Sequence, residues 1–320
     1  MKPVQFLADR TLVLFLGVAA GTAIGYAFAD KAQEPVQMAS PEAAPIVDAP
    51  AAIAPPPPTA PAAPETPADR KPEPETPAET ATVAEPANAP ATVDRPSAQL
   101  ADSVRQGGAV RVGVFGDSFG DGVWSALYRL LPAKDGFRVT KYSQQSTGFT
   151  RYRRLNLEEH DEQQIAGDDV DVAVISFGAN DAQGVCDGGH CGALMSTYWQ
   201  QVIGQRVTNY VTMLRRHGAA VYWVGLPVMR DPAFDGQTQA MDSFYKRLMG
   251  QLGVPYIDIR PLTTDADGKY QAYYRDADGS PKLFRAGDGV HMSMNGYIRV
   301  TKGLAGRIRA TAAAAKGEGA

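Results

Sequence analysis

Cysteine is scarce: Cys186 and Cys191 are the only two in 320 residues, both within the Gly-rich stretch Cys186-Asp187-Gly188-Gly189-His190-Cys191. A metal site built on them and His190 is cramped and short of ligands, so the simplest reading is a local disulfide in an oxidising compartment. The chain also lacks a strong excess of one charge. The net charge of −4 comes mostly from the acidic tract before residue 97, and the region after it counts slightly basic, so nothing points to nucleic acid as a partner. That tract lacks apolar bulk as well. From Asp30 to Ser97 it is almost entirely Ala, Pro, Glu, Thr and Val, including Pro55-Pro56-Pro57-Pro58. Such a composition cannot offset its ordering entropy, and it reads as a solvated spacer with polyproline II character.

The one long apolar run is Thr11 to Ala29, close to the length that crosses a bilayer as a helix. Lys2 and Arg10 precede it and acidic residues follow it, which favours a cytoplasmic N-terminus over residues 1–10 and a translocated remainder. Ala27-Phe28-Ala29 has the form of a signal-peptide cleavage site, whereas Gly17, Gly21 and Gly25 repeat on one helix face as in packed membrane helices. An uncleaved anchor over 11–29 is the favoured reading and a removed signal peptide the alternative. Either way the expectation is a periplasmic domain, tethered to the inner membrane or released, behind a disordered linker spanning 30–107.

From 108 to 313 short β-branched runs alternate with amphipathic stretches, the pattern of a βαβ domain with a parallel sheet. Strands are expected at 109–115, 137–142, 170–176, 219–225 and 256–259, with helices at 122–131, 197–216, 238–252 and 295–313. The Asp-Gly pairs at Asp267-Gly268 and Asp278-Gly279 predict a hairpin excursion between 265 and 280, and residues 314–320 read as a disordered tail. In open parallel sheets functional groups gather beyond the carboxyl ends of the strands. That is where the unusual residues of this chain fall. Strand one ends at Gly116-Asp117-Ser118, strand two leads to Ser146-Thr147-Gly148, strand three ends at Gly178-Ala179-Asn180-Asp181, and Asp288-Gly289-Val290-His291 precedes the last helix.

A serine nucleophile needs a base, a carboxylate to orient the base, and donors for the developing oxyanion. Ser118, His291 and Asp288 fill the first three roles. The backbone N–H groups of Ser118 and Gly148 and the side-chain amide of Asn180 are the candidate oxyanion donors. Asp117 is expected to hold the turn through backbone hydrogen bonds, and His160, His190 and His217 read as surface or capping residues. Arg151, Arg153 and Arg154 follow the Gly148 loop, either as a solvated basic face or as contacts for an anionic glycan.

With these blocks in this order, residues 108 to 313 resemble the SGNH, or GDSL-type, hydrolase superfamily. Gly116-Asp117-Ser118-Phe119 is similar to the first block, Gly148 stands for the second, Gly178-Ala179-Asn180-Asp181 for the third and Asp288-Gly289-Val290-His291 for the fifth. Phe119 departs from the Leu of many members. The resemblance implies a flavodoxin-like three-layer α/β/α fold with a five-stranded parallel sheet, and a Ser-His-Asp esterase or acyltransferase without cofactor or metal. The expected activity is hydrolysis of acyl esters, foremost O-acetyl groups on envelope or extracellular polysaccharide. The alternatives are an O-acyltransferase fed by a membrane acyl-donor partner, and a non-catalytic tethered envelope-binding module.

Overall fold

Glycine at position 116 marks where the sheet hands over to the site. The strand before it, β1 (Val110–Gly116), is buried along its whole length but for Arg111, as the apolar run of a central parallel strand requires. At its end Gly116 has φ +148°, and a Cβ there would lie 2.1 Å from the carbonyl oxygen of Ser176 on the neighbouring strand. Only glycine fits so close a crossing of two backbones.

In the computed structural model of the chain, residues 94–276 and 278–317 are described. The expected anchor at 11–29, the residues before it and most of the expected linker lie outside them. Five parallel strands form the sheet. β2 (Phe137–Lys141) flanks β1 on one side, and β3 (Val172–Ser176), β6 (Ala220–Val224) and β7 (Tyr256–Ile257) follow on the other, giving the order β2-β1-β3-β6-β7. Counted along the chain this is the 2-1-3-4-5 order of the flavodoxin-like class. Two small hairpins stand outside the sheet, β4 (Val185–Asp187) with β5 (His190–Gly192), and β8 (Tyr273–Arg275) with β9 (Pro281–Leu283). β8 lies within the excursion expected at 265–280, whereas β9 lies just beyond it.

Helices cover the sheet. α2 (Ser118–Leu130) follows β1 directly, capped by the Asp117 carboxylate, which accepts from Phe119 N at 2.9 Å. α4 (Thr197–Arg216) buries Trp199, Ile203, Val207, Tyr210, Val211 and Leu214, an apolar stripe at helical spacing. α5 (Pro232–Leu252) starts with Pro at its first position and Asp231 as its cap, and α6 (Met294–Lys316) closes the chain against α2. Under the carboxyl end of the sheet the aromatic rings of Phe149, Phe177, Tyr210, Trp223 and Tyr245 pack at centroid distances of 4.8 to 6.2 Å.

Several expected boundaries move. The linker does not run to 107, because α1 (Ala98–Arg105) buries Leu100 and Val104, and Asp94 pairs with Arg307 of α6. The tail does not start at 314, because α6 continues to Lys316 and ends on the left-handed Gly317. α2 begins four residues and α5 six residues before the expected starts, and α3 (Leu157–Ile165) was not expected at all. Among the described residues no helix is long and apolar enough to cross a membrane.

Candidate active site

The turn from β1 into α2 puts Ser118 at the first position of a helix, where its backbone N–H has no intrahelical acceptor. Its Oγ lies 2.8 Å from Nε2 of His291, whose Nδ1 lies 2.6 Å from Oδ2 of Asp288. The three side chains therefore form one hydrogen-bonded chain across 173 residues of sequence. The pattern assigns the imidazole proton to Nδ1, donated to Asp288, and leaves Nε2 as acceptor for the serine hydroxyl. Burial alone would raise the Asp288 carboxyl. Hydrogen bonds from the His291 ring and from the Val290 and His291 N–H groups, at 2.8 and 2.9 Å, outweigh it and hold the group at about 2. Phe119 stacks on the His291 ring with centroids 5.2 Å apart.

The expected oxyanion donors are arranged differently from the simple reading. The Asn180 amide gives its hydrogens to Asp117 Oδ2, at 3.1 Å, and to the Thr147 carbonyl, at 2.9 Å. In this conformation Asn180 is a tie between the serine turn and the 147 loop rather than a free donor. Gly148 caps the short turn Phe149–Arg151, and among the described residues no acceptor takes its N–H. Its lack of a Cβ serves a carboxylate, because a Cβ there would meet Asp181 Oδ1 at 2.5 Å.

Two buried carboxylates frame the site, both with no exposed surface. Asp117 is pushed up to about 7, first by burial, with the charge of Asp181 adding to it and the Phe119 N–H opposing it. Asp181 is also raised by burial, against donation from Thr150 N at 2.8 Å, Thr150 Oγ1 at 2.7 Å and Phe149 N at 3.0 Å. Tyr245 from the aromatic layer approaches it at 3.4 Å. Asp181 thus sets the path of the Gly148 loop.

Arg285 holds the histidine loop, and no sequence signal singled it out. Its side chain is 1% exposed and donates to the carbonyls of Val290 at 2.8 Å, Gly289 at 3.4 Å, His291 at 3.3 Å and Val228. Tyr270 covers the guanidinium, 4.8 Å from ring centroid to Cζ. It stands only three residues before Asp288, but a lone arginine in a polar loop reads as a solvated surface charge, which hid it. Cys186 and Cys191 form a disulfide across the β4–β5 pair, as expected. His160 pairs with the adjacent Asp161, and His217 caps α4. Among the described residues no group of three or more His, Cys, Asp or Glu side chains is placed to hold a metal ion.

Sheet order and strand-end blocks together define an SGNH-type α/β domain. The chain belongs to the family described as "Protein of unknown function (DUF459)", an SGNH-like family matched over residues 111–307. No curated protein matches the sequence. Among solved structures it is similar to a lipase/acylhydrolase from Enterococcus faecalis, 17% identical over 62% of this chain and 95% of that one, with a TM-score of 0.44. It is also similar to the periplasmic domain of a lipopolysaccharide acetyltransferase from Salmonella ser. Paratyphi A, 10% identical over 66% of this chain and 87% of that one, with a TM-score of 0.47. An acetyl xylan esterase, AlAXEase, is 16% identical over 61% of this chain and 98% of that one, with a TM-score of 0.44. At such identities and TM-scores these likenesses stand beside the site geometry and do not extend it.

Proposed function

We propose that this protein is a serine esterase of the SGNH type that cleaves acyl esters, foremost O-acetyl groups, on carbohydrate of the cell envelope. The observation that carries the reading is the continuous chain Ser118 Oγ, His291, Asp288, at 2.8 and 2.6 Å. Ser118 Oγ attacks the acyl carbonyl while His291 Nε2 takes its proton, and Asp288 stabilises the imidazolium that results. The proton then passes to the departing sugar oxygen, leaving an acyl-enzyme. Water, deprotonated by the same nitrogen, releases the acid and restores the serine.

Charge developing on the carbonyl oxygen needs donors. The Ser118 N–H at the start of α2 is one, with the positive end of the helix dipole behind it. The Gly148 N–H is the second candidate. Asn180 joins them if one amide hydrogen leaves the Thr147 carbonyl for the oxyanion. The envelope location rests on the sequence of residues 1–93, and the Cys186–Cys191 disulfide fits an oxidising compartment.

Labelling with a fluorophosphonate and site assignment by mass spectrometry tests nucleophile activation directly. The label is expected on Ser118 and on no other serine. Acetate release from acetylated sugar is expected to fall at least about a thousandfold in Ser118→Ala, with thermal stability kept. Equal acetate release by wild type and Ser118→Ala rules the reading out.

A further inference from the structure

A cleft of about 130 Å³ opens along the loop that carries Gly148. Gln144, Gln145, Ser146, Arg151 and Arg154 are among the residues lining it, and none of its lining residues is acidic. Among the described residues neither Arg151 nor Arg154 makes a salt bridge, although the charge of Arg151 acts on the buried Asp181 carboxylate behind Gly148; Arg206 nearby is paired with Asp187 at 2.8 Å. The Arg151 guanidinium is set by the loop itself. Ser146 adopts φ +62°, a left-handed conformation a side chain rarely takes, and its carbonyl accepts from Arg151 Nη1 at 2.8 Å. Two guanidinium groups thus line one concave site, that of Arg151 tied to the loop backbone and that of Arg154 exposed.

The same loop is tied to both sides of the nucleophile. Gln144 N donates to the carbonyl of Gly116, two residues before Ser118, at 2.8 Å. Gln145 Nε2 donates to Asp121, three residues after it, at 2.9 Å. Gly148, a candidate oxyanion donor, also lines the cleft. None of Ser118, Asp288 and His291 lines the cleft, which is connected to the serine turn through these two ties and Gly148.

We propose that this cleft is an anion subsite, which binds a carboxylate or phosphate carried by the substrate sugar beside its acylated hydroxyl. Planar guanidinium forks suit oxyacid groups, and the amides of the loop supply neutral donors around them. The proposal rests on the esterase reading only in assigning the anion to a substrate of Ser118. Binding itself is independent of catalysis.

The test is calorimetric titration of the full chain carrying Ser118→Ala, with trigalacturonate, galactose 6-phosphate and neutral galactotriose as probes. At least one anionic probe is expected to bind about tenfold or more tighter than galactotriose. Arg154→Glu and Arg154→Gln are both expected to remove that preference. Arg153→Glu, an exposed neighbour outside the cleft, is expected to keep it. Preference for trigalacturonate identifies a carboxylate as the anion, and preference for the phosphate identifies a phosphoryl group. Equal affinity for charged and neutral probes, or equal losses in Arg153→Glu and Arg154→Glu, overturns the proposal. Fluorophosphonate labelling of the wild type reports on the esterase reading separately, so failure of one leaves the other standing.

Discussion

Asp117 caps the helix that begins with the nucleophile and receives the amide that ties the 147 loop, yet it has no contact with water. A carboxyl pushed up to about 7 holds a proton in the folded protein that the unfolded chain releases near pH 4. Its contribution to stability is therefore fully present below about pH 4 and is lost as pH rises through 7, at most about 1.4 kcal/mol per pH unit. Asp117→Asn keeps the shape and removes the titration. Urea unfolding at pH 5.5 and pH 8 is expected to show the wild type losing stability relative to Asp117→Asn as pH rises. Parallel behaviour of the two proteins would mean that Asp117 stays ionised throughout. Arg285 makes a second case at this scale. Arg285→Lys keeps the charge but cannot span four carbonyls, so a loss of about 1–3 kcal/mol in stability is expected from the acceptors it leaves bare. The turnover number for acetate release is expected to fall with KM little changed, because the loop that positions His291 loosens while the sugar contacts remain.

Between strands, the geometry of the Gly148 loop is decided by Asp181 rather than by the loop's own residues. Gly148→Ala drives a methyl group into a carboxylate 2.5 Å away, and a cost of about 1–3 kcal/mol is expected in urea unfolding. The cost is expected to shrink in an Asp181→Ala background, where the obstacle is gone; additive losses would place the strain elsewhere. This arrangement explains what the sequence could disclose. The central strands β3 and β6 were readable because buried parallel strands are apolar runs, the edge strands β2 and β7 from their β-branched residues, and Ser118, Asp288 and His291 because each sits in a short polar block at a strand or helix end. The tie made by Asn180 was not, since the same residue type serves as donor to an oxyanion or to a neighbouring loop. Helix α3 was missed because only Leu157 and Ile165 of its nine residues are apolar and buried, too few to show a period. The start of α2 was hidden by Gly120 and Gly122, poor helix formers that close packing demands: a Cβ on Gly120 would lie 2.8 Å from Ser143, and one on Gly122 would enter the Tyr297 ring.

At the scale of the whole molecule the framework and the chemistry occupy opposite ends of the sheet. The reacting groups lie beyond the carboxyl ends of β1 and β3, whereas the segment from Asp94 to Gly107 clasps the end where those strands begin. Gln99 donates to the Val170 carbonyl at 2.9 Å, and Ser103 and Arg111 hold Asp171 at 2.8 and 2.6 Å. Asp94 reaches both Arg307 and the hydroxyl of Tyr222, the latter at 2.8 Å. Burial of Leu100 and Val104 in this clasp is worth about 1.5–3 kcal/mol each before ordering entropy is subtracted. A chain beginning at residue 108 is accordingly expected to be about 2–4 kcal/mol less stable than one beginning at 94, measured by urea unfolding. The rate of Ser118 labelling, measured well below either melting temperature, is expected to agree within about twofold, because no hydrogen bond of the site runs through the clasp. A labelling rate that fell along with stability would show instead that the clasp tunes the serine turn through β1, which joins them in seven residues of largely buried strand.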